Sequence, residues 1–521
     1  MERCHSGYNK TLRTALFFWL EIRFFQKIWI SLNRFFDSSI VCQINILVGV
    51  QTLVWFCQAK AWTPFSEKLY ICQKRNKQTM KAKLTMVFSL IALGFSSAGW
   101  STENAENVKC LDCHKRTTPN VVADWKISKH SSEGITCAHC HGVKHTSSKD
   151  VSEVQLPQPS TCAECHEKQV AQFRRGKHAL SWTVMNAMPT THMLPMALTK
   201  GNKGCGGCHK IGEKSLEEVA KLKEEGSGYG HAACDSCHTR HAFSKVEASQ
   251  PQACQTCHMG FDHPQWEMYS ASKHGVRALL KQNGILPKTA SGPTCQTCHM
   301  QDGDHEVRTP WGFLAVRLPL PEDEEWRKDQ VTILQALGVL DPEGKPTARL
   351  EVVKAADVAR LTQEAFDKER DKLLDACSQC HSERFAKGEM AKGDEMIKKA
   401  DHLLAKAIRI IAGLYQDGVL EKPESYAYAF PDLLTFHDAP RPIEQTLFVM
   451  HLKHRMRTFQ GAFHNNPDYA LWYGWSEMVR DLAEIKQMAE ELREKHKAKH
   501  TIELSDSGTT SVAHTKALRE E

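Results

Sequence analysis

The sequence predicts a mainly α fold in two unlike halves, a loop-rich N-terminal half packed around bound groups and a C-terminal half of long helices. Seven copies of Cys-x-x-Cys-His crowd into residues 110–299, where Gly, Pro, Ser and Lys punctuate nearly every intervening segment and leave little room for an apolar core. Apolar residues recur at helical spacing around 352–376, 388–420 and 468–498, as in MIKKADHLLAKAIRIIAGLY. The 41% hydrophobic and 25% charged contents are ordinary for a soluble chain, whereas 20 cysteines are not.

Residues 1–79 do not resemble the rest of the chain. They hold 11 Lys and Arg against 4 Asp and Glu, and their one long apolar span, 40–56, is interrupted by Gln43, Asn45 and Gln51. At Met80 begins MKAKLTMVFSLIALGFSSAGW, with Lys81 and Lys83 as a positive n-region, 86–95 as an apolar core and Ser96-Ser97-Ala98 as a small-residue cleavage site. Residues 80–98 are therefore expected to be a secretory signal peptide, and residues 1–79 a start-site misassignment. The competing expectation is an N-terminal anchor around 40–57. Export predicts a periplasmic chain, in a compartment that tolerates cysteine oxidation. The excess positive charge of residues 1–79 accounts for the whole formal +6, so the remainder is near neutral and nucleic acid is not an expected partner.

Every cysteine after Met80 belongs to one motif. The first four copies are Cys110-Cys113-His114, Cys137-Cys140-His141, Cys162-Cys165-His166 and Cys205-Cys208-His209. The other four are Cys234-Cys237-His238, Cys254-Cys257-His258, Cys295-Cys298-His299 and Cys377-Cys380-His381. Two thiols three residues apart reach the two vinyl groups of one haem, and the next residue presents its imidazole to the iron. A disulfide framework or a zinc site does not produce such exclusivity, so the copies predict eight c-type haems. Motifs 1–7 define a haem-rich region, residues 105–315. The haems themselves are expected to fill its interior, stacked closely enough to exchange electrons.

Electron-transfer haems need a second axial ligand, and 18 further histidines follow Met80. His130, His145, His178, His241, His274 and His305 are the best candidates, each in a short polar loop near a motif. His231 is a seventh, with His192 and His464 behind it. Spacing does not say which iron, if any, lacks a second ligand.

Residues 316–498 carry the eighth motif and the amphipathic helices, expected to pack on one another and on a partner subunit. The tail, 499–521, is polar and expected to be unstructured. Within the helical half, NPDYALWYG places Tyr469 and Tyr473 one turn apart, which by itself reads as an aromatic helix face.

The motif order and its surroundings resemble the octahaem hydroxylamine oxidoreductase family over roughly residues 105–490. GCGGCHKIG, CDSCHTRHAFS, CQTCHMGFDHPQWE, CHMQDGDHEVRTPWGF and FHNNPDYALWYG carry the resemblance. It implies a multihaem cytochrome c whose fourth haem, held by Cys205, Cys208 and His209, is five-coordinate and catalytic. It implies that Asp262-His263 is the distal acid–base pair. It further implies a homotrimer in which Tyr469 or Tyr473, Tyr469 being favoured, crosslinks to the catalytic haem of a neighbouring subunit in members that oxidise hydroxylamine. The segment EKSLEEVAKLKEEGSGYGHAAC is longer than the family leads one to expect and reads as an inserted charged helix.

The resulting expectation is oxidation of hydroxylamine to nitric oxide or nitrite, with electrons passed to a cytochrome. An octahaem reductase of nitrite or hydroxylamine, and a non-enzymatic conduit with every iron six-coordinate, are the alternatives. For Asp262-His263 the plain alternative is a haem-ligating histidine beside a turn-capping aspartate.

Overall fold

The computed structural model describes residues 105–226, 233–312, 314–435 and 438–517. The expected signal peptide, the extension before it and His231 lie outside them. Residues Ser101–Glu521 form one compact unit. Among the described residues it is built of helices, turns and loops, with a single isolated bridge between Leu340 and Pro346.

In the first half, short helices begin or end on the motifs. α1 (Ala105–Thr117) carries the first motif. Five-residue helices, Cys137–His141 and Cys295–His299, start on the first thiol of theirs. Their amino ends are closed locally, with the Thr136 N–H donating to His139 Nδ1 and the Thr294 N–H to Thr297 Oγ1, both at 3.0 Å. α2 (Pro159–Arg175) starts with proline in its first turn, where no N–H is needed, and bends at His166, whose φ of −115° and ψ of 43° leave the helical region. The charged segment after the fourth motif folds as the helix Leu216–Glu224, capped by Ser215.

The second half is a helical bundle of α3 (Glu324–Ala336), α4 (Gln363–Ser378), α5 (Glu383–Gln416), α6 (Pro442–Val449), α7 (Met456–Phe463) and α8 (Ser476–Ala517). The apolar stripe of α5 (Ile397, Ala400, Leu404, Ala407, Ile408, Ile411, Leu414) is wholly buried. Its carboxyl-terminal part packs on Ile333 and Ala336 of α3 and on Met478, Leu482, Ile485 and Ala489 of α8. Each large aliphatic side chain buried there contributes about 1.5–3 kcal/mol. A π-helical turn, Met450–Arg455, joins α6 to α7, and a second, Leu471–Trp475, leads into α8. The second turn lies hard against α7, since a Cβ on Gly474 would stand 2.5 Å from the Thr458 nitrogen.

A buried ion pair crosses the bundle. Arg455 donates Nε (2.9 Å) and Nη2 (2.7 Å) to Asp401 Oδ1, and Trp326 Nε1 donates to Oδ2 at 2.8 Å.

Two expectations, one from periodicity and one from composition, are corrected. The stretch 352–376 is not continuous, because a helix ends at Ala355 and α4 begins at Gln363. Between them Asp357 takes a φ of 51°, and its carboxylate accepts from Lys177 (2.6 Å) and Arg308 (2.9 Å). The polar tail does not begin as loop, for α8 runs on to Ala517. Among the described residues no helix is long and apolar enough to cross a membrane.

Candidate functional site

Two imidazoles on opposite faces of one iron, each bonded at about 2 Å, hold their ring centroids roughly 6 Å apart. Seven motif histidines meet a second imidazole at that distance. His114 faces His145 (6.2 Å), His141 faces His241 (6.1 Å), His166 faces His130 (6.2 Å) and His238 faces His305 (6.3 Å). His258 faces His178 (6.0 Å), His299 faces His464 (6.5 Å) and His381 faces His274 (6.0 Å). The residues therefore fit a set of bis-histidine haems. His209 is the exception, facing no second imidazole among the described residues.

The ring nitrogens are assigned by their partners. His141 Nδ1 donates to the Gln155 carbonyl (3.1 Å), His209 Nδ1 to Ser181 (2.9 Å), His305 Nδ1 to Gly303 (2.8 Å) and His464 Nδ1 to Gln460 (2.9 Å). His145 Nδ1 donates to Asp150 at 2.9 Å. Each such bond leaves Nε2 for a metal. Burial pushes His258 down to about 3 and His299 to about 4, which keeps them as the neutral imidazoles a metal requires.

All eight motif histidines line one cavity of about 2620 Å³, far above the about 300–1,000 Å³ of a single-ligand pocket. Thiols of different motifs touch inside it, namely Cys162 with Cys234, Cys208 with Cys257, and Cys254 with Cys295. Cys137 lies near Cys110, Cys140 near Cys162, Cys237 near Cys254, and Cys298 near Cys377. Followed along these contacts, the motifs run 1–2–3–5–6–7–8, with the fourth joined at the sixth.

The fourth motif is shaped by its glycines. A Cβ on Gly206 would stand 2.2 Å from the Lys200 carbonyl oxygen, so the Gly206–His209 turn folds only with nothing there. Asp262 and His263 line the same cavity. His263 Nδ1 donates to Asp262 Oδ1 in a short hydrogen bond. Burial pulls the His263 imidazole down, but the bond and the charge of Asp262 outweigh it and leave the group above its ordinary value. The ring also bonds the backbone at Cys257, the thiol in contact with Cys208, which links the pair to the fourth motif through the sixth. His263 stands 5.7 Å from His258, closer than the seven facing pairs.

The Tyr469 and Tyr473 rings lie 5.1 Å apart, tilted at 35°, and neither lines the cavity of their own chain. Tyr469 is half-buried under the Arg457 guanidinium (5.9 Å), while Leu471, Trp472 and Tyr473 are exposed. His192 faces no motif, as its Nε2 bonds the Asn186 carbonyl at 2.7 Å. Reasoning from sequence put little weight on His464 and none on Ser181 or Gln265, whose side-chain oxygen lies 3.4 Å from His258 Nδ1. The one available signal for His464 was its place in FHNN beside the tyrosines.

Residues 106–314 and 349–425 match a family profile described as "Seven times multi-haem cytochrome CxxCH", and residues 58–142 match "Cytochrome c554 and c-prime". A curated Kuenenia stuttgartiensis protein, "Probable nitrite reductase-hydroxylamine oxidoreductase fusion protein", is 26% identical over 486 residues, 74% of this chain. The match covers 51% of that protein, so the chain spans about half the length of the curated relative. Among solved structures, a Kuenenia stuttgartiensis reducing HAO-like protein complex has a similar fold, with TM-score 0.59, 23% identity, and 76% of this chain and 87% of that one covered. A hypothetical multiheme protein has TM-score 0.56 and 19% identity, with 78% and 99% covered.

Proposed function

Because the chain belongs to the family of multihaem cytochromes with repeated Cys-x-x-Cys-His motifs, we propose that it is a periplasmic octahaem oxidoreductase that oxidises hydroxylamine beside His209. The observation that carries this reading is the pairing pattern. Seven motif histidines face a partner ring, while His209 faces none among the described residues, and Asp262-His263 reaches Cys257, the thiol in contact with Cys208 of the fourth motif. Haem iron bound at His209 supplies a Lewis-acid position for the substrate nitrogen and the first electron acceptor.

The chain's own residues manage the protons. Asp262 holds the Nδ1–H of His263, so Nε2 is the basic position, and the carboxylate raises the proton affinity of the imidazole, making it the stronger base toward a substrate proton. Cys208 against Cys257 ties the reacting position to the sixth motif, and the thiol contacts continue from there toward both ends of the series. A homotrimer, with Tyr469 or Tyr473 bonded to the haem at a neighbouring copy's His209, completes the reading. The exposed Leu471, Trp472 and Tyr473 are consistent with an outward-facing contact.

A second reading, reduction of nitrite or hydroxylamine in the same pocket, is favoured by the names of the relatives, one "reducing" and one joined to a nitrite reductase. Denaturing mass spectrometry of the haem peptides separates the two. A peptide with Tyr469 or Tyr473 joined to the Cys205–Cys208 haem is expected for oxidation, and its absence favours reduction. A protein whose eight irons are all low-spin and six-coordinate by electron paramagnetic resonance would be a conduit, and both readings would fall.

A further inference from the structure

The charged segment after the fourth motif lies outside the facing rings and the acid–base pair, yet it is fastened to that motif from behind. His209 and Ser181 bind each other twice, through His209 Nδ1–H to the Ser181 carbonyl (2.9 Å) and Ser181 Oγ to the His209 carbonyl (3.0 Å). That Ser181 carbonyl shares its peptide plane with the Trp182 nitrogen, so whatever fixes Trp182 fixes the acceptor. Trp182 is 1% exposed, and its indole N–H donates to Glu218 of the Leu216–Glu224 helix. The ammonium of Lys214, itself only 7% exposed, lies 4.6 Å over the Trp182 ring. It donates to the carbonyls of Lys210 and Gly212, both at 2.7 Å, just beyond His209. Gly212 closes the arrangement, since a Cβ there would stand 2.2 Å from the Trp182 nitrogen. The helix is held in turn by Leu222, packed on Trp182 and Met185, and by Lys223 on the Val154 carbonyl at 3.1 Å.

We propose that Trp182, Glu218 and Lys214 are positioning residues that pin the Ser181 carbonyl on His209 Nδ1, so that the inserted helix sets how strongly His209 donates to the iron it holds. An imidazole whose Nδ1–H is firmly accepted is the more basic at Nε2 and the stronger ligand. The helix thus acts on the reaction through His209 without touching substrate. This inference rests on the reading that His209 serves the five-coordinate iron.

The test is resonance Raman spectroscopy of the reduced, fully loaded protein, because only a five-coordinate ferrous haem gives an iron–histidine stretching band. Trp182→Phe, which keeps the ring packed but removes the indole N–H, and Glu218→Ala are expected to move that band to lower frequency. Glu218→Gln, which retains an acceptor, is expected to leave it in place. A band unmoved in both Trp182→Phe and Glu218→Ala overturns the proposal while leaving the open iron intact. A wild-type protein without the band removes the open iron, and the proposal with it. Should Glu218→Ala fail to accumulate in loaded form, the Trp182→Phe band decides.

Discussion

His464 and His299 lie far apart in sequence, yet their rings come to 6.5 Å. Replacing His464 with alanine is expected to convert one low-spin centre into a high-spin one, read by electron paramagnetic resonance, with the haem mass unchanged because the Cys295 and Cys298 thioethers remain. Asp262→Asn makes a different prediction. The carboxylate raises the proton affinity of His263, and a base must be deprotonated to act, so the acid limb of kcat/KM follows the His263 titration. With asparagine the limb moves to lower pH, and kcat falls by roughly 10²-fold or more. An unshifted limb would contradict the assigned role. The motif residues were legible because covalent attachment fixes their spacing. The facing histidines His130, His145, His178, His241, His274 and His305 were legible as a class, since each lies near a motif. Their pairing was not legible, because it is tertiary. His130 precedes the second motif but meets the third motif's His166, and His178 meets the sixth motif's His258.

At the level of elements, α5 was readable because its apolar residues recur every three or four positions over more than five turns. The break at Asp357 was not readable, because it answers to Lys177 and Arg308, residues brought in from elsewhere. The two π turns also escaped, since no local residue pattern marks an i to i+5 bond. The bundle's stability is predicted to hinge on Asp401. Asp401→Ala leaves the Arg455 guanidinium buried without its carboxylate, at a cost of about 3–5 kcal/mol, measurable as a lowered thermal midpoint of the loaded protein. Ile408→Ala, which only opens space in the same helix, is expected to cost about 2–5 kcal/mol.

For the whole molecule, the exposed Leu471, Trp472 and Tyr473 are where the proposed assembly is tested. On the proposed homotrimer, Trp472→Glu is expected to shift the protein from trimer to monomer in mass photometry while the haem content stays unchanged. A variant that remains trimeric places the contact elsewhere. The helical, two-part character was legible as a whole, because a crowd of attachment motifs and a set of amphipathic repeats are both visible without coordinates. The cavity of about 2620 Å³ has a consequence for stability. A volume of that size is interior that the side chains leave to the bound groups, so holding them is expected to raise the stability of the folded chain and removing them to lower its thermal midpoint.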